Sequence, residues 1–506
     1  MHLLRKLLPL AVFGLVAVFS ATAVAHYSFG FLTSVKPYAV PVGGEYDIKP
    51  LISVADQVPE TSNPSKRFQM VGTPDGLGIS RIGGRTTVFM NQEFGRSVTS
   101  EPLIGAPLNR GAFVSKLQLG HNGSVLSGDR AYDSVYNEDT LVGPAADATN
   151  STSAFARFCS GFMADSSVGF SEPIYLAGEE GGGADTYDGK GGISAAVYRN
   201  QLHTLPRLGH FAKENQVVMP GTGNKTVIFV LEDGPSTPDS QLFMYVGTKD
   251  RHSSSVLRRN GLDNGKLFVF VAGTGVSTEG NLPSGSTTGS WSEIVGAETL
   301  NEAQIEAAAD AAGAMGFIRI EDGAANPSKR GEFHFVTTGA SYPNPASPMN
   351  KLGRIYRLEF DPRDPTDASK LTTVVNADQV IAAGGDTALS PDNVEVNGRY
   401  LMVQEDGTSE SRAVMTAKGR EGSIWRYDLK RGYAAERVAE LDPAGRDGVM
   451  TTAGIWESSG IIDTGDFFGR DSWIFDVQAH GPTTAPAANT VEDGQLLLMR
   501  PARSWH

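Results

Sequence analysis

The stretch YLMVQEDG, residues 400–407, decides the fold, because its pattern recurs along the whole chain. An alternating apolar segment ends in two adjacent carboxylates and a glycine. Taken alone, the stretch is typical of a strand running into a hairpin turn, since Asp-Gly is a preferred tight-turn pair. Because the pattern recurs, the acids have a second possible interpretation, a shared functional role.

Six apolar strand patterns end in this way, each at or near a glycine, and a second strand-like run follows each of them. They cover residues 87–95, 174–182, 227–234, 332–339, 400–407 and 473–481. Several also have a lead-in strand, such as TPDGLGISRIGG before the first. Lead-in, strand, turn and strand make one blade, so the sequence predicts an all-β, six-bladed β-propeller with inter-blade insertions. The alternative is a β-sandwich whose hairpins are alike by chance.

Between the third and fourth units, the alanine-rich segment TLNEAQIEAAADAAGAMG predicts one short helix over residues 301–312. No shift in composition marks a second domain. We therefore expect residues 26–506 to form a single propeller domain.

Equivalent strand ends of a propeller meet at one end of the central channel, so the acids at these ends are expected to lie close together. The candidates from the strand ends and lead-ins are Glu93, Glu179, Glu180, Glu232, Asp233, Glu321, Glu405, Asp406, Glu457 and, in the sixth unit, His480. Crowded carboxylates need a compensating cation, and many oxygen ligands favour calcium. Alternatively, the acids line a wet channel rim.

Three further residues are candidates, and the first two of them allow two interpretations each. Arg319 lies two positions before Glu321, on the same face of a strand, and is either a salt-bridge partner or an oxyanion clamp. Its spacing alone favours the salt bridge. Cys159, the only cysteine, is either buried as a small apolar residue or a thiolate ligand, and sequence position favours burial. Asp392 lies in SPDN, a typical turn sequence.

The first 25 residues have the features of a secretory signal: basic Arg5 and Lys6, an apolar run and the small-residue stretch Ala23-Val24-Ala25. We expect cleavage after Ala25, export to the periplasm or medium, and no stable membrane partner afterwards. The alternative is an uncleaved anchor. The net charge of −14 makes nucleic acid an improbable partner.

In its ordered motifs, the chain resembles the PhoX-type alkaline phosphatases, six-bladed propellers that use iron and calcium. The segments that carry the resemblance are MNQEFG, FCSG with IYLAGEE, VLEDG, RIED, SPDN with QEDG, and WESSG with VQAHG. Three features differ from the family: Arg5-Lys6 replaces twin arginines, FMADSSVGF replaces a Thr-Pro-Trp-Gly segment, and Arg157 replaces a lysine.

The resemblance implies an exported phosphomonoesterase that releases phosphate from small organic esters, with a metal-activated oxide or hydroxide as nucleophile. It implies Ca²⁺ and Fe³⁺ as cofactors and Arg319 as the phosphate-binding residue, joined by Arg157 where the family has lysine. The implied metal ligands are Cys159, Glu179, Glu180, Glu232, Glu321 and Asp392. We expect a monomer. The alternatives are a calcium-binding propeller without catalysis and a calcium-dependent hydrolase of lactones or other non-phosphate esters.

Overall fold

The computed structural model describes residues 33–340, 350–443, 452–480 and 487–502. The chain begins with β1 (Ala39–Pro41), β2 (Tyr46–Ser53), β3 (Gln57–Pro59) and β4 (Arg67–Gln69). The first blade and a short hairpin follow as β5 (Pro74–Ile82), β6 (Arg85–Gln92), β7 (Thr99–Ser100), β8 (Asn109–Arg110), β9 (Phe113–Leu119) and β10 (Val125–Arg130). The second blade comprises β11 (Ser134–Asn137), β12 (Thr140–Pro144), β13 (Phe158–Ala164), β14 (Ile174–Glu179), β15 (Ser194–Tyr198) and β16 (Gln201–Thr204).

The remaining blades follow in chain order. The third comprises β17 (Lys213–Val218), β18 (Lys225–Glu232), β19 (Leu242–Thr248), β20 (Lys266–Ala272) and β21 (Gly285–Ile294). The fourth comprises β22 (Ile320–Ala325), β23 (Glu332–Thr337), β24 (Arg354–Glu359) and β25 (Ser369–Asn376). The fifth comprises β26 (Pro391–Val396), β27 (Tyr400–Glu405), β28 (Ser423–Asp428) and β29 (Ala434–Leu441), and the sixth β30 (Glu457–Asp463), β31 (Trp473–Ala479) and β32 (Asp493–Pro501).

These strands form the predicted all-β, six-bladed propeller. The inner strands contact one another in the cyclic order β5, β13, β17, β22, β26 and β30, and β30 returns to β5. The two N-terminal strands complete the last two blades, β1 pairing with β29 and β2 with β32. This exchange closes the ring between the two ends of the chain. The third and fourth blades share one sheet, because β21 pairs with β25.

The helices lie in the connections between strands. They are α1 (Val256–Arg259), α2 (Glu302–Ala312), α3 (Ala377–Ala382), α4 (Ser409–Lys418) and α5 (Gly465–Phe468). The predicted insertion helix is confirmed as α2, with Asn301 as its N-cap: the Asn301 side chain accepts a hydrogen bond from the Gln304 N–H. Within the described ranges, no helix is long and apolar enough to cross a membrane. The predicted signal sequence lies outside them.

Every inner strand has the same irregularity near its start. The pairing register shifts within the first five residues, for example between Asp75 and Leu77 and between Pro391 and Val394. Such bulges redirect a side chain. At Gly76 the first inner strand lies very close to the second, because a Cβ on this glycine would lie only 2.4 Å from the Cys159 carbonyl oxygen. Each inner strand therefore bends near its start, at the same end in every blade.

Candidate active site

One end of the channel carries a ring of acidic side chains and one thiol, which we call the acidic ring. Its members form four overlapping groups, and in each group the possible ligand atoms lie within 4.8 Å of one another. Cys159, Glu214 and Asp392 each belong to two groups, so they link the ring. The full set is Asp75, Glu93, Cys159, Glu180, Glu214, Glu321, Asp392, Asp406 and Glu457.

The inner strands supply six of these side chains, each from the first or second residue of the strand. In five blades the second residue of the inner strand joins the ring, and in the sixth the first residue, Glu457, does so. The other five are Asp75, Cys159, Glu214, Glu321 and Asp392. Cys159, Glu321 and Asp392 were predicted as metal ligands, and the structure brings them together.

The second strands supply the remaining three ring members, from the residue just after the strand end. Glu93, Glu180 and Asp406 follow the last residues of β6, β14 and β27. Their backbones are held alike: the Glu180 N–H donates to the Arg157 carbonyl (2.9 Å), and the Asp406 N–H donates to the Ser390 carbonyl (3.0 Å). The predicted contribution of Glu180 to a metal cluster agrees with this position.

Glu179, Glu232 and Glu405 do not join the acidic ring, although the sequence placed them at the strand ends. Each is the last residue of its strand, and alternate residues of a strand point to opposite faces. Glu179 accepts hydrogen bonds from the N–H groups of Ala156 and Tyr187, both at 2.8 Å. The neighbouring Glu180 faces the channel instead.

The other two strand-end acids are also held within their blades. Glu232 accepts a hydrogen bond from the Gln241 N–H (2.7 Å). Glu405 forms a buried ion pair with Arg420 at 2.7 Å and accepts from the Ser423 N–H at 2.9 Å. The structure therefore indicates a structural position for both, in place of the predicted channel position.

Two arginines reach the ring from equivalent positions, each two residues before an inner-strand ligand. Arg157 and Arg319 have φ values of 46° and 56°, in the left-handed region that non-glycine residues rarely adopt and that costs on the order of 1–3 kcal/mol. Such strain is concentrated at functional sites in proteins. The same blade position directs both side chains toward the ring.

Each arginine forms ion pairs with two acidic side chains. Arg319 contacts Asp233 (Nε to Oδ1, 3.1 Å) and Glu321 (Nη2 to Oε1, 3.1 Å), so the predicted salt bridge is present. Asp233 faces the channel without belonging to any of the four groups. Arg157 contacts Glu93 (Nε to Oε1, 2.9 Å) and, through Nη2, Glu180 at 2.6 Å.

His480 bridges two carboxylates beside the ring. Its Nε2 lies 3.3 Å from Glu457 and its Nδ1 2.9 Å from Glu492. Burial opposes protonation, but the hydrogen bonds to these two carboxylates raise the pKa of His480 to about 11. His480 is therefore a third cation at this end of the channel.

Burial governs the electrostatics of the ring. It is the main reason that the pKa values of Asp75, Glu214 and Asp392 lie well above their usual range, and neighbouring carboxylates raise them further. Burial also raises the pKa of the Cys159 thiol, which donates a hydrogen bond to Asp75 (3.3 Å). The ring cannot ionise fully without positive charge.

We predict that metal-free protein loses stability as the pH rises. The pKa values of ring acids such as Glu214 and Asp392 are higher in the folded state than in the unfolded state. The protonated acids therefore contribute fully to the free energy of unfolding below the unfolded-state pKa values. This contribution is lost as the pH rises through the folded-state pKa values. Chelated protein should therefore melt at least about 5 °C lower at pH 8 than at pH 5. Added Ca²⁺ should restore more stability at pH 8 than at pH 5. If the melting temperature of chelated protein stays constant or increases from pH 5 to pH 8, the raised pKa values of the ring acids are contradicted.

Sequence analysis missed three residues at the site. Asp75 and Glu214 belong to the ring, and Gln478 donates hydrogen bonds to Asp75 (3.1 Å) and Glu93 (3.0 Å). The repeated ligand position at the start of each inner strand was the available signal for the first two. Nothing in the sequence pattern singles out Gln478.

The acidic ring fits a metal cluster. Asp392 Oδ1 is buried and has no hydrogen-bond partner in the described structure. An unpartnered buried carboxylate oxygen is costly unless a cation or proton compensates it. Abundant carboxylate oxygens suit hard cations, and one thiol adds a softer ligand. The residues present could therefore hold metal ions.

The fold and the site together define a class, a β-propeller with a candidate metal centre at one end of its channel. The family model "Alkaline phosphatase PhoX" matches residues 196–453, about half of the chain. The chain belongs to the PhoX alkaline phosphatase family, whose members are phosphoric monoester hydrolases. None of the curated proteins matches the sequence.

A solved structure supports the fold. The chain is similar to Pseudomonas fluorescens PhoX in complex with vanadate, a transition state analogue, with 16% identity and a TM-score of 0.65, over 94% of this chain and 99% of that one. A thermostable family-43 glycoside hydrolase is 9% identical with a TM-score of 0.32, over 84% and 99% of the two chains. The GH43_1 enzyme from Xanthomonas citri is 9% identical with a TM-score of 0.30, over 85% and 87%. The two hydrolases are too distant to support an argument.

Proposed function

We propose that this protein is an exported, metal-dependent phosphomonoesterase that releases inorganic phosphate from small organic phosphate esters. The observation that carries the proposal is the acidic ring with Arg157 and Arg319 beside it, in a chain of the PhoX family. Anionic substrates would be repelled by so many carboxylates alone. Bound cations and the two guanidinium groups reverse that charge where a phosphoryl group would bind.

Calcium and iron are the ions that we propose for the ring. Most of its donors are carboxylate oxygens, which favour Ca²⁺, and the Cys159 thiol favours a redox metal such as iron. Such cations supply Lewis-acid charge for phosphoryl transfer and lower the pKa of the water that serves as nucleophile.

The arginines would bind and orient the phosphoryl group. Arg319 now shares its guanidinium between Asp233 and Glu321. A cation bound to Glu321 would compete for that carboxylate and release N–H groups toward substrate. Its planar donor fork suits phosphate oxygens, and donors fixed before the reaction stabilise the charge that spreads over them.

The proposal is tested by measuring phosphate release from a chromogenic monoester with protein reconstituted with Ca²⁺ and iron, beside a chelated sample. We expect turnover only with metal. Parallel assays should contain a lactone and a carboxylic ester that carries the same chromophore. Hydrolysis of these without phosphate release would replace the proposal by a non-phosphate hydrolase, and metal binding without any turnover would indicate a binding propeller.

Cys159→Ser should lose iron before calcium, because the change replaces the soft sulfur ligand by oxygen and leaves the ring carboxylates in place. Elemental analysis after dialysis against both metals measures the effect. Ser458→Ala, a small buried residue at the start of another inner strand, is the matched control. Iron occupancy in Cys159→Ser equal to that of the control would count against a metal role for the thiol.

Export is part of the proposal. Its support is the signal-like sequence of residues 1–25. Fractionation of the producing cells, with N-terminal sequencing of the recovered protein, tests both location and the expected cleavage after Ala25. We further propose that the single domain over residues 26–506 acts as a monomer, which light scattering measures.

A further inference from the structure

Several residues that directly follow inner-strand ligands of the acidic ring are polar and buried, namely Ser160, Asn215, Asp322 and Asn393. Two of them, Ser160 of the second blade and Asn393 of the fifth, are hydrogen-bonded to each other at 2.6 Å. These blades are opposite in the six-membered ring, so the contact crosses the channel. Both residues are 1% exposed.

Ser160 also contacts the ring itself. Its hydroxyl donates to Glu214 Oε1 at 2.5 Å and accepts from Asn393 Nδ2. A side chain of the first blade holds the backbone at Ser160: Asn91 Nδ2 donates hydrogen bonds to the carbonyl oxygens of Cys159 (2.5 Å) and Ser160 (3.2 Å). A continuous chain of hydrogen bonds therefore connects Asn393, Ser160 and Glu214.

The hydrogen-bond chain ends at Glu214, a residue that links two groups of the acidic ring. Glu214 belongs both to the group with Cys159 and Glu180 and to the group with Glu321 and Asp392. A donor that fixes one oxygen of a ligating carboxylate sets the direction of the other oxygen and raises metal affinity. The orientation of Glu214 therefore affects both groups at once.

We propose that Ser160 and Asn393 are positioning residues, which hold the Glu214 carboxylate for metal binding through a hydrogen-bond chain across the channel. This inference rests on the metal centre of the proposed function. Neither residue needs to touch a cation or substrate. Their contribution is to select one orientation of Glu214 before metal binds.

The chain offers a matched control. Ser458 follows the ring member Glu457 at the start of the sixth inner strand, is fully buried, and its hydroxyl has no hydrogen-bond partner in the described structure. Ser160→Ala and Ser458→Ala thus remove the same atom from two buried positions, each next in sequence to a ring ligand. Only the first change removes a contact with a ring ligand.

The test is Ca²⁺ affinity, measured by competition with a fluorescent chelator, together with the melting temperature of metal-free protein. Ser160→Ala should bind Ca²⁺ about 10- to 100-fold more weakly, and Ser458→Ala within about twofold of wild type. Asn393→Ala should weaken binding in the same direction. The double variant Ser160→Ala/Asn393→Ala should lose no more than Ser160→Ala alone, because both changes break one chain.

Three results would overturn the inference. They are a Ser160→Ala affinity equal to that of Ser458→Ala, a Ser160→Ala affinity equal to that of wild type, or additive losses in the double variant. If Ser160→Ala does not fold, the affinity of Asn393→Ala decides, since that change leaves the Glu214 contact with Ser160 intact. Wild-type protein that binds no cation would instead remove the metal centre of the proposed function, and this inference with it.

Discussion

Replacing Glu214 by glutamine is expected to lower kcat/KM for phosphate monoesters on the order of 10³-fold. Glu214 lies in two of the four groups of the acidic ring, so the change removes a ligand charge shared between them. An uncharged amide binds hard cations poorly. Steady-state kinetics and elemental analysis on the same preparation measure the loss of turnover and of metal.

Glu395→Gln is the matched control for this variant. Glu395 is an inner-strand acid on β26 that lies outside the acidic ring, and burial raises its pKa to about 8. The raised pKa favours the neutral acid, so glutamine changes the charge at this position less than it does at a carboxylate with an ordinary pKa. We expect wild-type kinetics from it. A Glu214→Gln protein with wild-type metal content and a rate like that of Glu395→Gln would contradict the role of Glu214.

The second large effect is expected at Arg319. Arg319→Ala should lower kcat/KM on the order of 10²- to 10³-fold, because it removes a guanidinium placed beside the phosphoryl site. Arg319→Lys should recover only part of this, since a lysine lacks the planar donor fork. Inhibition by vanadate should weaken in parallel with kcat/KM if Arg319 acts on the transition state.

The backbone strain at Arg319 requires its own control. Arg199, in the tight turn between β15 and β16, has the same φ of 56°. Arg199→Ala makes the same chemical change in the same backbone conformation, away from the ring. We expect it to leave kinetics unchanged. Equal losses in Arg199→Ala and Arg319→Ala would show that the effect comes from folding rather than from phosphate binding.

The propeller could be predicted because its second strands are conspicuous in the sequence. Stretches such as YLMVQEDG join an apolar strand to a turn, and six occurrences in order leave few other architectures. Strand exchange between the chain ends could not be predicted, since β1 and β2 have no counterpart in the repeated unit. Pairing of β2 with β32 depends on ring closure, which is a property of the whole fold.

The acidic ring could be predicted only in part. Adjacent acids such as Glu179 and Glu180, or Glu405 and Asp406, look equivalent in sequence, but a strand can direct only one of each pair into the channel. The structure shows that the second of each pair faces the channel. The first secures its own blade through backbone or arginine contacts. Deciding between them needs the exact strand end.

Glu214 was missed for a different physical reason. Its segment, KENQVV, begins with four consecutive polar residues, so it resembles a surface loop. Burial in the centre of the propeller overrides that appearance, and the residue is 1% exposed. Only the common position of ligands on inner strands identifies it.

The central claim is that the acidic ring binds the metal ions at which phosphate esters are hydrolysed. Anomalous diffraction from crystals of active, metal-loaded protein soaked with vanadate tests this most directly. We predict iron and calcium signals within reach of Glu214, Cys159 and Asp392, and a vanadium signal beside Arg319. Metal and vanadium signals elsewhere in an active protein, with no density among these side chains, would contradict the account.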